Sequence, residues 1–229
     1  MSTDLDAAFS LKDVAKIRSL IPVGYNYAAD ESNLLKKAVH YGCDEVALEL
    51  IGLGAPVNLK HEFFTPLGNA ASQGNMRLVK ALLAAGAELD ARPAKGLTAI
   101  QSAACYGRNA IIRHLAGLGA DLTCTVNSAG TRLKTLALLA EIGAGFNDRS
   151  RLDDMTALMT ACSIGKAKGS AAALFLLAHG ADAAAVRESD GMTALKFALW
   201  GQCTEEVIGA LVAAGCPLPE EDFKVVITY

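Results

Sequence analysis

The chain has 229 residues, of which 52% are hydrophobic, only 6% aromatic and 20% charged. So apolar a composition excludes a disordered polymer, and the longest uncharged stretches, Phe63–Met76 and Val207–Pro219, are shorter than the roughly 18–20 apolar residues a spanning helix needs. A net charge of −3 gives no global field to draw the chain to nucleic acid or anionic lipid.

Residues 1–30 read as a divergent helical unit, with Val14, Ile17, Leu20 and Ile21 at helical spacing before Gly24. Met1-Ser2-Thr3-Asp4-Leu5-Asp6 holds neither a basic nor an apolar leader region, so a cytoplasmic chain without a signal peptide is expected. From residue 31 the chain becomes periodic. Thr65-Pro66-Leu67-Gly68-Asn69-Ala70-Ala71 returns 33 residues later as Thr98-Ala99-Ile100-Gln101-Ser102-Ala103-Ala104. Leu82-Leu83-Ala84-Ala85-Gly86-Ala87 returns at the same offset as Leu115-Ala116-Gly117-Leu118-Gly119-Ala120. Three regular units therefore fill 31–123, a truncated unit 124–147, and two more 148–218, leaving 219–229 as a C-terminal cap. The last two units open with Thr156-Ala157-Leu158 and Thr193-Ala194-Leu195.

These strings resemble the ankyrin repeat family, whose unit joins a Thr-Pro-Leu-His-x-Ala-Ala helix to a second aliphatic helix and a Gly-Ala-x-hydrophobic-Asn ending. The resemblance implies a single all-α domain over 1–229, a helix-turn-helix repeat solenoid with short hairpin-like loops between units. Elementary chemistry points the same way. Leu78, Val79, Leu82 and Leu83 make one apolar stripe. Ala70-Ala71 and Ala103-Ala104 keep the first helix thin, so neighbouring units approach closely. Thr65, Thr98, Thr156 and Thr193 are placed as N-caps, with Pro66 in a first turn. Gly54, Gly86, Gly119, Gly143, Gly180 and Gly215 stand where helices end and a positive φ is wanted.

Three departures from the pattern carry expectations. The family's His is replaced by Lys36, Gly68, Gln101, Lys134, Met159 and Lys196, which removes a capping network and lowers stability. Gly119 to Gly143 spans 24 positions, nine short of the period, so the second helix is expected to survive and the first to shrink to a turn. Such a unit stacks as a divergent repeat, changes the direction of the superhelix, or opens a ligand notch, around Leu122–Thr135, for a small molecule or nucleotide. In the fifth unit, three residues are inserted near Lys166-Ala167-Lys168-Gly169, where an enlarged turn between helices is expected.

No catalytic constellation is visible, so no enzyme and no cofactor are expected. Cys43, Cys105, Cys124, Cys162, Cys203 and Cys216 lie at least 13 positions apart, unlike zinc ligand pairs, and are expected as reduced thiols, all but Cys124 in packing slots. Asp153-Asp154 and Glu220-Glu221-Asp222 read as solvated charges near helix starts. What remains for function is the surface that stacking does not dictate: loop tips and the concave ends of the first helices. Phe63, Phe64, Arg92, Lys95, Val126-Asn127-Ser128, Arg149, Arg151 and Arg187 fall at tips, and Tyr41, Gln73, Tyr106 and Trp200 along the concave face. Aromatic anchors and tip arginines suit a protein partner, bound by a monomeric scaffold acting as inhibitor, immunity-type protein or effector, with no nucleic acid or membrane involved.

Overall fold

Short amphipathic helices cannot bury an apolar stripe alone, and here they do so by pairing and then stacking the pairs. The computed structural model describes residues 2–22, 25–26, 33–58, 64–94 and 96–217. No helix among them is long and apolar enough to cross a membrane. The helices gather into two compact units, Met1–Asp121 and Leu122–Tyr229.

The first unit holds α1 (Ser2–Ser10), α2 (Val14–Leu20), α3 (Leu34–Tyr41), α4 (Asp44–Gly52), α5 (Pro66–Gln73), α6 (Met76–Ala84), α7 (Ala99–Cys105) and α8 (Asn109–Gly117). First helices stack on first helices, α3 on α5 and α5 on α7, while α4 packs on α6. The small residues act as expected: Ala70, Ala71, Ala103 and Ala104 are fully buried at that contact. Of the predicted stripe, Leu78, Val79 and Leu82 are buried and Leu83 is half-buried. The N-terminal pair contributes Leu5, Ala8, Phe9 and Ile17 to the core. It is tied to the next pair by Lys37–Asp6 and Arg18–Glu49 ion pairs, each 2.7 Å.

Caps follow the sequence reading. The hydroxyls of Thr65, Thr98, Thr156 and Thr193 accept the N–H of Gly68, Gln101, Met159 and Lys196. At one unit the missing His has a substitute: the Gln101 side chain accepts the Thr98 N–H at 3.2 Å, completing a reciprocal cap. The unit-ending Asn residues staple successive loops. Asn58 donates to the Gly86 carbonyl at 2.9 Å and accepts from Glu88 N–H at 2.8 Å; Asn147 does the same with Gly180 and Asp182. Asn147→Ala is expected to cost about 1–2 kcal/mol, two hydrogen bonds' worth, as a lowered urea midpoint with unchanged m-value.

The second unit holds α9 (Thr125–Ala129), α10 (Leu133–Glu141), α11 (Ala157–Ile164), α12 (Lys166–Ala178), α13 (Ala194–Trp200) and α14 (Glu205–Ala213). The truncated repeat keeps its second helix, α10, and reduces its first to the five-residue α9. Thr125, Val126 and Ala129 are fully buried where a ligand notch was one expectation, so α9 side chains fill that place. It also corrects Val126-Asn127-Ser128 from a loop tip to a packed helix, with Asn127 Nδ2 donating to the Met155 carbonyl at 2.8 Å.

The fifth repeat overturns the enlarged turn. Gly165 alone joins α11 to α12, and the inserted residues are helical, making α12 13 residues long against nine for α6 or α8. About 3.6 residues add one whole turn, so the apolar stripe beyond keeps its face. Alanine and lysine are good helix formers, and Gly169 lets the added turn lie against the Ala161 carbonyl, where a Cβ would collide. Hairpin-like tips exist here as isolated antiparallel bridges, Arg149 with Thr156 and Val186 with Thr193.

Candidate protein-binding surface

In the first unit Tyr41 and Gln73 are the last residues of α3 and α5, and Tyr106 is the C-cap of α7. Tyr41 is half-buried, stacked on Phe9 with centroids 6.3 Å apart and edge-on to His40 at 5.1 Å. Its ring is held by packing, which leaves its outer part for contact. Gln73 is already occupied: its amide donates to the Val39 carbonyl at 2.7 Å, closing the C-terminus of α3. Tyr106 is the freer ring, 54% exposed. A shallow hollow of about 540 Å³ opens beside these residues, lined by Lys12, His40, Tyr41, Asp44, Gln73 and Asn75. Sequence reasoning missed Lys12, which reaches the Gly42 turn, and Arg108, whose Nε donates to the Ser72 carbonyl at 2.9 Å over Gly74. A cation at the C-terminus of α5 also meets the negative end of its dipole.

The tips divide into exposed and engaged residues. Phe64 and Arg92 are exposed; Phe63 and Lys95 lie outside the described residues. In the second unit Arg151 is exposed, but Arg149 is half-buried and works within the fold. Its guanidinium pairs with Asp154 at 3.0 Å and donates to the Val186 carbonyl at 2.8 Å, bridging neighbouring tips. Asp154 also accepts the Glu188 N–H at 2.9 Å, and Asp153 accepts from Met155 N–H. Asp154 is therefore a loop staple and not the solvated charge expected, while Asp153 stays exposed, as expected. Arg187 pairs with Asp190 and lies over the Phe197 ring, 5.0 Å from its centroid. That hydrogen-bonded pair raises the arginine pKa and lowers the aspartate's. Trp200, 71% exposed at the end of α13, and Ile164, 49% exposed at the end of α11, stand on two packed helices.

Of the cysteines, Cys43, Cys162 and Cys216 are buried, while Cys105, Cys124 and Cys203 are half-buried. Among the described residues no group of histidines, cysteines and acids could hold a metal ion.

A family model described as ankyrin repeats, in three copies, matches residues 35–126. Residues 35–126 carry ankyrin repeats. An ankyrin repeat-containing protein of Treponema pallidum (strain Nichols) is 32% identical over 110 residues, 46% of this chain and 37% of that protein. The match thus spans little more than a third of the relative's length. Two solved structures share the fold at 23% identity: the human ASB11 ankyrin repeat domain, with TM-score 0.71 over 95% of this chain and 100% of that one, and the ankyrin repeat domain of Bcl-3, a member of the IkappaB protein family, with TM-score 0.65 over 92% and 98%. The ankyrin fold therefore extends well beyond the matched copies, into the second unit. Ankyrin repeats are generally protein–protein interaction modules, without catalysis of their own.

Proposed function

We propose that this chain is a non-enzymatic binding module that holds a folded protein partner against its concave helix ends and loop tips, as an inhibitor, immunity-type or effector protein. The observation that carries the reading is the side-chain division just described. The scaffold uses Gln73, Arg108, Arg149 and Arg187 for its own stitching, yet leaves Tyr106, Trp200 and Phe64 projecting from well-packed helices and loops. Large rings held out on a rigid support bind at low entropic cost and dominate interface energies. Tip arginines remaining outside the internal pairs, Arg92 and Arg151, add positive charge at the rim.

Tyr106→Ala and Trp200→Ala test this. Each is expected to weaken capture of a protein that binds the wild-type chain by about tenfold or more, as for interface aromatics generally. Their circular dichroism and melting should stay near wild type, because both rings are exposed. Undiminished affinity in the double variant would remove the concave face from the interface.

A further inference from the structure

The final turn of the second unit brings together two cysteines 41 positions apart. Cys162 is fully buried on α11, and Cys203 lies half-buried between α13 and α14. The Cys203 thiol donates to the Cys162 carbonyl at 3.5 Å, which sets the two cysteines side by side. Glycines make the approach possible. Lys166 N–H donates to the Gly201 carbonyl at 3.2 Å, and Gly201 lies so close under the Cys162 carbonyl that a Cβ would collide with it. Ser170, buried on α12, accepts the Thr204 N–H at 3.0 Å, at the residue next to Cys203.

We propose that Cys203 and Cys162 form a peroxide-reactive dithiol, Cys203 attacking and Cys162 resolving, that closes to a disulfide tying α11 to the α13–α14 turn. The placement differs from that of an inert packing cysteine. Hydrogen bonds from Cys162 and Ser170 hold the Cys203 thiolate and push its pKa down to about 7, against burial acting the other way. Cys162 is pushed up, because its proton is held by Cys203 and because it is buried, with Cys216 facing it as a further thiol. Cys43 shows the ordinary outcome: its thiol donates to the Phe9 carbonyl at 3.6 Å, and burial pushes its pKa up.

The chemistry balances with hydrogen peroxide as oxidant. The Cys203 thiolate attacks one peroxide oxygen, the O–O bond breaks, and Cys203 becomes a sulfenic acid as hydroxide leaves and takes a proton from solvent. Loss of the thiolate charge releases the proton that Cys162 had kept. Cys162 sulfur then attacks the Cys203 sulfur, the S–O bond breaks, and the departing hydroxide leaves with that proton as water. Two thiols give up two electrons, one peroxide accepts them, and two waters form.

The test treats the fully reduced chain with equimolar hydrogen peroxide, blocks remaining thiols with N-ethylmaleimide and maps the peptides by mass spectrometry. The expected product is a Cys162–Cys203 linked peptide, lighter by two hydrogens than the reduced pair. In Cys162→Ala, dimedone should trap a sulfenic acid on Cys203. A measurement on the unaltered chain covers the case where that variant does not fold. Iodoacetamide should alkylate Cys203 about tenfold faster at pH 8 than at pH 6, on a curve with its midpoint near 7, and ahead of Cys105 and Cys43. A disulfide between other cysteines, a sulfenic acid that persists on wild-type Cys203, or Cys203 alkylation no faster than that of Cys105 would each overturn the proposal. Neither cysteine belongs to the partner-binding surface, so this result is independent of that reading.

Discussion

Gly165→Ala is expected to lose about 3–5 kcal/mol, enough to unfold the α11–α14 stack of a marginally stable unit. Gly165 combines φ +57° with ψ −153°, a region essentially reserved for glycine. Any Cβ there would land on the Gly201 carbonyl and the atoms behind it, which are backbone and cannot rotate away. Two costs therefore add: local backbone strain, and separation of the turns that pack α11, α12 and α13. Gly180→Ala is the control. Its φ is +83°, but nothing lies within 4 Å of the added Cβ, so only left-handed strain of about 1 kcal/mol applies. Urea unfolding followed by circular dichroism measures both. Equal losses in the two variants would show that the crossing of Gly165 and Gly201 is not what makes the first position special.

Leu82→Ala in α6 is the second large effect, about 3 kcal/mol from lost transfer energy plus the cavity left behind. Leu82 is fully buried, and α6 packs on both α4 and α5. In a stacked array the hole is shared with the neighbouring pair, which blocks collapse from one side without opening the other. The drop should appear as a lower urea midpoint for the first unit. The exposed Leu53→Ala, at a residue 50% exposed, should change it by less than about 0.5 kcal/mol. A Leu82→Ala loss as small as that would contradict a continuous core through these helices.

What could be read from the amino-acid order was what local chemistry decides. A threonine before a thin alanine helix becomes a cap whatever lies beyond it, as Thr65, Thr98, Thr156 and Thr193 show. A glycine closing each second helix takes positive φ for the same reason. The insertion at Lys166–Gly169 looks like a turn in isolation, because of its lysines and glycine. Whether they continue a helix depends on the Ala161 carbonyl accepting a glycine against it. The surface was legible by position but not by occupancy. Repeat spacing puts Gln73, Arg149 and Arg187 on the outside, yet only their partners, the Val39 and Val186 carbonyls and Asp190, show that they serve the fold. Cys162 and Cys203 stand at different places in their repeats, so no alignment of one unit on another pairs them. Their meeting follows from how one turn lies beside the preceding helix.

The side chains that close the first helices give each stack a direction. Gln73 finishes α3, Arg108 finishes α5, and Cys203 reaches back to α11, so in every case the later repeat completes the earlier one. Dismantling such a stack is therefore asymmetric. Removing a pair at the trailing side leaves helix-end carbonyls to water and takes away the amide or guanidinium that capped them, which at α5 is also the cation facing the dipole. Removing one at the leading side strands only an amide, a guanidinium or a thiol, which water can satisfy. During synthesis the same asymmetry means that the newest repeat is the unfinished one, and finishing passes down the chain with each pair that follows.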